Sequence, residues 1–131
     1  MRLMLVQQLQ LSERMNMHEV SIAEGIISIV KATAQANGIT RVSKVRVCIG
    51  TLAGVDIPSL RFAWTSVIRG TIAENCALEI DRPRGQAWCL KCSHTVDLDS
   101  YGQACPLCGS YQLTPIAGNE LKVIDIVGFD E

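Results

Sequence analysis

Three things are missing from these 131 residues. No run of about eighteen apolar residues occurs, which excludes a helix long enough to span a bilayer. The opening Met1-Arg2-Leu3-Met4-Leu5-Val6 carries one positive charge and soon meets Gln7, Gln8 and Gln10. It has neither a sustained apolar segment nor a small-residue cleavage site, which argues against a secretory signal. Charge of one sign is absent too: 12 Lys and Arg against 13 Asp and Glu leave a formal net charge of −1. No basic stripe stands ready to neutralise phosphates. These absences count against a membrane protein and a nucleic-acid binder, and make the cytoplasm the expected location. A hydrophobic fraction of 48% fills one modest core, so one domain with a small satellite is expected rather than disorder.

What is there centres on the stretch from Trp88 to Gly109. Cys89 and Cys92 form one Cys-x-x-Cys pair and Cys105 and Cys108 a second, with twelve residues between the pairs. Two intervening residues let a tight turn aim both sulfurs at one point, and a second such turn completes a tetrahedron. Zinc accepts four thiolates in that geometry and keeps no open position, so the site is structural, not catalytic. Iron in a rubredoxin-like site is the chemical rival, and two disulfides are the alternative in an oxidising compartment. Gly109, directly after Cys108, suits a turn that needs positive φ. Cys48 and Cys76 lie outside the cluster and read as buried thiols.

Along the chain, residues 1–16 differ from the patterned stretch after them. They are either a native segment, with a short amphipathic helix through Leu5, Leu9 and Leu11, or residues ahead of a start at Met17. The second reading is preferred, because nothing in the segment demands a partner. Ser21 and Glu24 have capping-box spacing. Ile22, Ala23, Ile26, Ile29 and Val30 continue at helical spacing, and Asn37-Gly38 closes the helix. Val45, Val47 and Ile49 alternate with polar neighbours as a strand. Asp56 then caps a second helix with Pro58 in its first turn, along the stripe Leu60, Trp64, Val67 and Ile68. A second strand through Leu78 and Ile80 runs on towards Gln86 and Trp88 after a break at Pro83. Gly118-Asn119 turns the chain into a last strand over 121–127, expected to pair with the second. The fold class is therefore α+β: a small sheet packed with two helices, plus an inserted zinc-ribbon or rubredoxin-like lobe. The lobe is too small to fold by burial alone, so metal supplies its folding energy.

The stretch Met17-His18-Glu19-Val20-Ser21-Ile22-Ala23-Glu24-Gly25-Ile26 resembles the opening of the HypA/HybF family of hydrogenase nickel-insertion proteins. So do Ile49-Gly50-Thr51-Leu52-Ala53-Gly54-Val55-Asp56, Leu60-Arg61-Phe62-Ala63-Trp64, Arg69-Gly70-Thr71, Ala87-Trp88-Cys89 with its knuckles, and Gly118-Asn119-Glu120-Leu121. The resemblance runs from Met17 to about Val127. It implies a nickel metallochaperone with no turnover chemistry, and hence not an enzyme. Zn(II) is its structural ion and Ni(II) its transient cargo. The partners implied are the GTPase HypB and the hydrogenase large-subunit precursor, with room for urease maturation proteins and for a homodimer. It also implies a nickel-binding α+β domain over 17–86 and 116–131 and an inserted zinc-binding domain over 87–115, behind the extension 1–16.

The family's nickel site is built on its Met-His-Glu start, matched here by Met17, His18 and Glu19. A free amine on Met17, the deprotonated His18 amide and the His18 imidazole would bind one metal through small chelate rings, a square-planar nitrogen set that nickel tolerates. Glu19 supplies a backbone nitrogen, a carboxylate or orientation. With sixteen residues ahead of Met17, that amine is a peptide nitrogen. The full chain is therefore expected to bind nickel more weakly, or in another geometry, than one beginning at Met17. His94 resembles a histidine beside the knuckle in some family members, or is a plain loop residue. The alternative function is a zinc-ribbon module for nucleic acid or protein. Asp97 and Asp99 in the linker, with His94 its only possible cation, disfavour nucleic acid. A thiol oxidoreductase is third, but four thiolates locked on zinc are inert.

Overall fold

The computed structural model describes residues 2–8 and 19–131. Glu19–Ala36 form helix α1, and its apolar spacing turns Ile22, Ala23, Ile26, Ile27, Val30 and Ala34 inward. The helix begins two residues before Ser21, so Ser21 sits inside the first turn and not at the cap. It ends where Asn37-Gly38 predicts. Gly38 has φ +67°, Ile39 N donates to Ala34 O at 2.9 Å and Gly38 N to Gln35 O at 3.5 Å, the paired bonds of a Schellman close.

After strand β2 (Arg41–Ile49) comes helix α2 (Ile57–Val67), which buries Leu60, Ala63 and Trp64 and packs against α1. Strand β3 (Ala77–Asp81) follows, and the chain returns at the end as β7 (Leu121–Phe129). Residues 2–8, where a helix through Leu5 is one expectation, form a strand instead: β1, Arg2–Gln8. Leu9 and Leu11 lie outside the described residues. A short apolar run satisfies either period, and the open edge of β7 decides it. β1 lies antiparallel on that edge, with Arg2 opposite Val127 and Gln8 opposite Lys122, and an irregularity between Met4 and Gln7.

The sheet order is β1-β7-β2-β3. Ion pairs stitch it crosswise: Lys44 Nζ to Glu79 Oε1 at 3.6 Å, Arg46 to Asp125 Oδ2 at 3.3 Å, and Arg2 to Asp125 Oδ2 at 2.6 Å. Asp125 is only 1% exposed, and a carboxylate so buried is tolerable only when cations hold it. Ile22, Ile26, Val30, Val42, Val45, Leu60, Val123 and Ile126 supply the fully buried aliphatic core. Cys48 and Cys76 are buried, as expected, and neither is in a disulfide. Burial pushes the Cys76 thiol up in pKa, against a smaller lowering by Trp64.

A second sheet holds β4 (Gln86–Cys89) between β5 (Thr95–Asp97) and β6 (Leu113–Ala117). The last strand thus does not pair with the second as expected. β7 runs between β1 and β2, while β4 joins a different sheet from β3. The switch happens over Arg82–Gly85, where Pro83 has no N–H to give a ladder. Arg82 bonds the carbonyls of Ile49 (2.9 Å) and Gly50 (3.1 Å), Thr51 N donates to Pro83 O at 3.0 Å, and Gly85 N to Thr51 Oγ1 at 3.1 Å. Gly118 faces this joint with φ +110°, and a Cβ there would meet Gly85 Cα at 2.4 Å. Two compact units result. One contains the described residues up to Val47 with Val55–Ile80 and Lys122–Glu131; the other contains Cys48–Gly54 and Asp81–Leu121.

Candidate metal centre

Cys89 ends β4, and the chain then folds back within three residues. Ser93 N donates to Cys89 O at 2.9 Å, and Cys92 N lies 3.5 Å from Cys89 Sγ. The second knuckle repeats the pattern: Gly109 N donates to Cys105 O at 2.8 Å, and Leu107 N reaches Cys105 Sγ at 3.4 Å. In both turns the residue after the second cysteine has positive φ, +80° at Gly109 and +56° at Ser93. Glycine adopts that region freely and serine does not, which is why only the second knuckle announced its shape in sequence.

All four sulfurs lie within 4.8 Å of one another. Cys89 Sγ to Cys108 Sγ is 3.7 Å and Cys92 Sγ to Cys105 Sγ 3.8 Å. A zinc ion with Zn–S of about 2.3 Å needs a tetrahedron edge of about 3.8 Å. A disulfide needs about 2.05 Å, and all four cysteines are free. The four-cysteine site fits zinc. Its electrostatics agree. The Cys92 amide, more than any other group, brings Cys89 down to about 7 against the effect of burial. Burial works against Cys105 as well, yet the Cys108 and Leu107 amides bring it below its usual range. Burial and the neighbouring thiols push Cys92 up to about 12. Sulfurs this close cannot all ionise unless a dication neutralises them.

Around the sulfurs the packing is thin: Ala87, Val96 and Leu98 are buried with Cys89 and Cys105, and Leu52 and Leu113 close the sides. The loop between knuckles is held by polar bonds. Arg84 pairs with Asp97 at 3.1 Å and Asp99 at 3.2 Å, so these acids are not merely solvated. Gln103 accepts from Asp99 N at 2.7 Å and donates to Asp97 O at 3.1 Å. His94 is exposed; its carbonyl accepts from Cys89 N at 2.9 Å.

Of the expected nickel residues, Met17 and His18 lie outside the described residues, and Glu19 is the first residue of α1. Glu19 Oε2 accepts from Asp56 N at 3.0 Å. Asp56 stands at the cap of α2 as expected, yet its carboxylate makes no bond to the helix amides and takes the Ser59 hydroxyl at 2.7 Å. No feature of the sequence announces the Glu19–Asp56 contact, since 37 residues separate the two. Beside it runs an open groove of about 430 Å³, lined by Glu19, Val20, Ser59, Phe62, Ala63, Ser66 and Val67.

An α+β protein with a four-cysteine lobe and no helix, among the described residues, apolar enough to cross a membrane is a small metal-binding class. Comparison with known proteins makes the class specific. The family described as hydrogenase/urease nickel incorporation, metallochaperone, HypA matches residues 17–128, and the chain belongs to it. The hydrogenase maturation factor HypA of Polaromonas naphthalenivorans (strain CJ2) is 45% identical over 115 residues, 88% of this chain and 100% of that protein. That of Cupriavidus necator is 42% identical over 111 residues, 85% of this chain and 93% of the relative. The solution structure of the Ni metallochaperone HypA from Helicobacter pylori shares the fold, with TM-score 0.61 at 24% identity, over 88% of this chain and 100% of that one. A second HypA solution structure gives TM-score 0.64 at 25% identity, over 89% and 100%.

Proposed function

We propose that this protein carries Ni(II) on the segment Met17-His18-Glu19 and delivers it, with the GTPase HypB, to the hydrogenase large-subunit precursor. The metal lobe holds Zn(II) on Cys89, Cys92, Cys105 and Cys108 as permanent scaffolding. One observation supports this division most: the four-sulfur site is closed, so it has no vacancy for a cargo ion that must leave again. Cargo then belongs on nitrogen and oxygen donors elsewhere, and the family match begins at Met17. A closed zinc site offers no water to activate, so the reading is a carrier and not an enzyme. The cytoplasm is its proposed place of action.

The apolar groove at the start of α1, where Val20 is 53% and Phe62 76% exposed, is the proposed GTPase-facing surface, because it adjoins the cargo segment. A nucleic-acid role would rest in the lobe on Lys91 alone, because its two arginines are engaged. Arg84 is spent on Asp97 and Asp99, and Arg82 on backbone carbonyls.

Nickel titration tests the reading. His18→Ala should abolish tight Ni(II) binding while zinc content and the circular dichroism spectrum stay unchanged. A chain beginning at Met17 should bind more tightly than the 131-residue chain, because its α-amine becomes a donor once its proton is displaced. Equal affinity and the same absorption spectrum in both lengths would rule out an amine ligand. Zinc content without Ni(II) binding in either length would end the proposal.

A further inference from the structure

We infer that the outer edge of β7 is a strand-docking site for an extended segment of a partner protein, one that brings an arginine to the buried Asp125 and an aliphatic residue directly after it. β1 is the occupant that this chain itself supplies, and a partner gains the site by displacing β1. The inference does not depend on where nickel binds.

Asp125 sets the selectivity of that edge. Leu121, Val123 and Asp125 alternate along β7 as buried residues, so the acid stands where the strand's pattern calls for a third aliphatic side chain. A strand laid beside it with only hydrocarbon at that register leaves a buried charge undercompensated. Arg2 avoids this from the diagonal position. Its Cα pairs with Val127, two residues along β7, and its Nε and Nη2 donate to Asp125 Oδ2 at 3.1 and 2.6 Å. Leu3 is partly buried opposite Ile126. Main-chain pairing alone accepts any extended chain, and the acid adds the discrimination.

β1 fills the site imperfectly. Both Arg2 contacts and that of Arg46, at 3.3 Å, converge on Oδ2, and among the described residues the buried Oδ1 has no hydrogen-bond partner. An arginine fork placed squarely takes both oxygens of a carboxylate. The register of β1 also slips between Met4 and Gln7, where a regular strand keeps its ladder. The Arg2 side chain is 56% exposed, so it can leave Asp125 without opening the core. β1 further lies ahead of Met17, where the stretch shared with the family begins. Edges left open are templates for another strand. A partner segment that pairs without the slip, and meets Oδ1 as well as Oδ2, outcompetes β1, whose one advantage is its tether to the same chain.

The test uses the 131-residue chain and, as probe, a fluorescent peptide with the sequence of residues 1–8. In Arg2→Glu the chain's own strand meets Asp125 with a like charge and leaves the edge. That variant should bind the probe about tenfold or more tighter than the parent does. Its β7 amides should exchange faster before the probe is added and slower after. The probe carrying Arg2→Ala should bind the same variant about tenfold or more weakly. Equal binding by the parent and Arg2→Glu would show that the edge is not the site. Equal binding of the two probes would show that Asp125 is not read, and either result overturns the inference. Should Arg2→Glu lose its α1 and α2 signals, Arg2→Ala in the chain decides, since it removes the cation without adding repulsion. Probe binding there tighter than the parent's supports the inference. Parent-like binding overturns it, and so does unfolding, which would make β1 part of the fold instead of an occupant.

Discussion

The two units solve the same problem with different materials. The helix-and-sheet unit buries a row of branched side chains, Ile22, Ile26, Val30, Leu60 and Ile126 among them, to complete solvent exclusion. In the cysteine lobe, Val96 and Leu98 are the only large aliphatic side chains in the buried cluster, and two of its five members belong to the four-cysteine site. Two such side chains contribute about 1.5–3 kcal/mol each, far below the ordering entropy of a stretch that long. Hydrocarbon can be replaced piecemeal, each methylene costing its share. Four sulfurs on one ion cannot, because the site is either closed or open. The first unit should therefore yield gradually to mutation, and the second all at once.

The sharpest way to break that contrast is to take the metal. Chelation should collapse the amide signals of β4, β5 and β6 while those of α1 and α2 stay in place. Structural zinc in small lobes supplies an apparent ~10–16 kcal/mol of folding energy, the largest single contribution expected here. Cys92→Ala or Cys105→Ala should act in the same direction. The loss should deepen as pH falls through about 7, where the proton regained by Cys89 competes with zinc. Signals of β4 unchanged after complete chelation would show that the lobe folds by burial after all.

That contrast was partly legible in the residues. Cys-x-x-Cys spacing is local chemistry, and the two helices follow from local periodicity, as does the close at Asn37-Gly38. What escaped was non-local. The pairing of β4 with β5 and β6 depends on Pro83, Gly85 and Gly118 meeting the turn at Gly50–Gly54, and that turn's allegiance to the metal unit is written in bonds between distant residues. Leu3-Met4-Leu5-Val6 fits helix or strand equally, and the choice rests on the edge of β7 and on a buried Asp125. Ser21, read as a cap, lost that role because the helix found its anchor two residues earlier, at Glu19.

A middle-sized effect tests the other half of the contrast. Leu60→Ala removes a side chain that is 0% exposed in the helix layer and should cost the first unit about 2–5 kcal/mol in denaturant unfolding. Zinc affinity should not change with it, because Leu60 and the four cysteines belong to different compact units. A mutant that also gives up zinc would mean that the two units share one cooperative transition.

The smallest effect lies within the lobe, between its twin knuckles. Ser93 holds φ +56° where its counterpart Gly109 holds +80°, so one turn carries a steric cost the other avoids. Ser93 is exposed and its amide bond to Cys89 O survives substitution, so Ser93→Gly removes little beyond that cost. The relief is about 1 kcal/mol or less, since glycine also gains freedom in the unfolded chain, which makes zinc binding tighter by about fivefold at most. Gly109→Ala should weaken it by a comparable factor. Competition against a chromogenic chelator measures both. If neither substitution moves the affinity, the backbone of the knuckles follows the metal without resisting it, and the lobe's folding energy resides in the sulfurs alone.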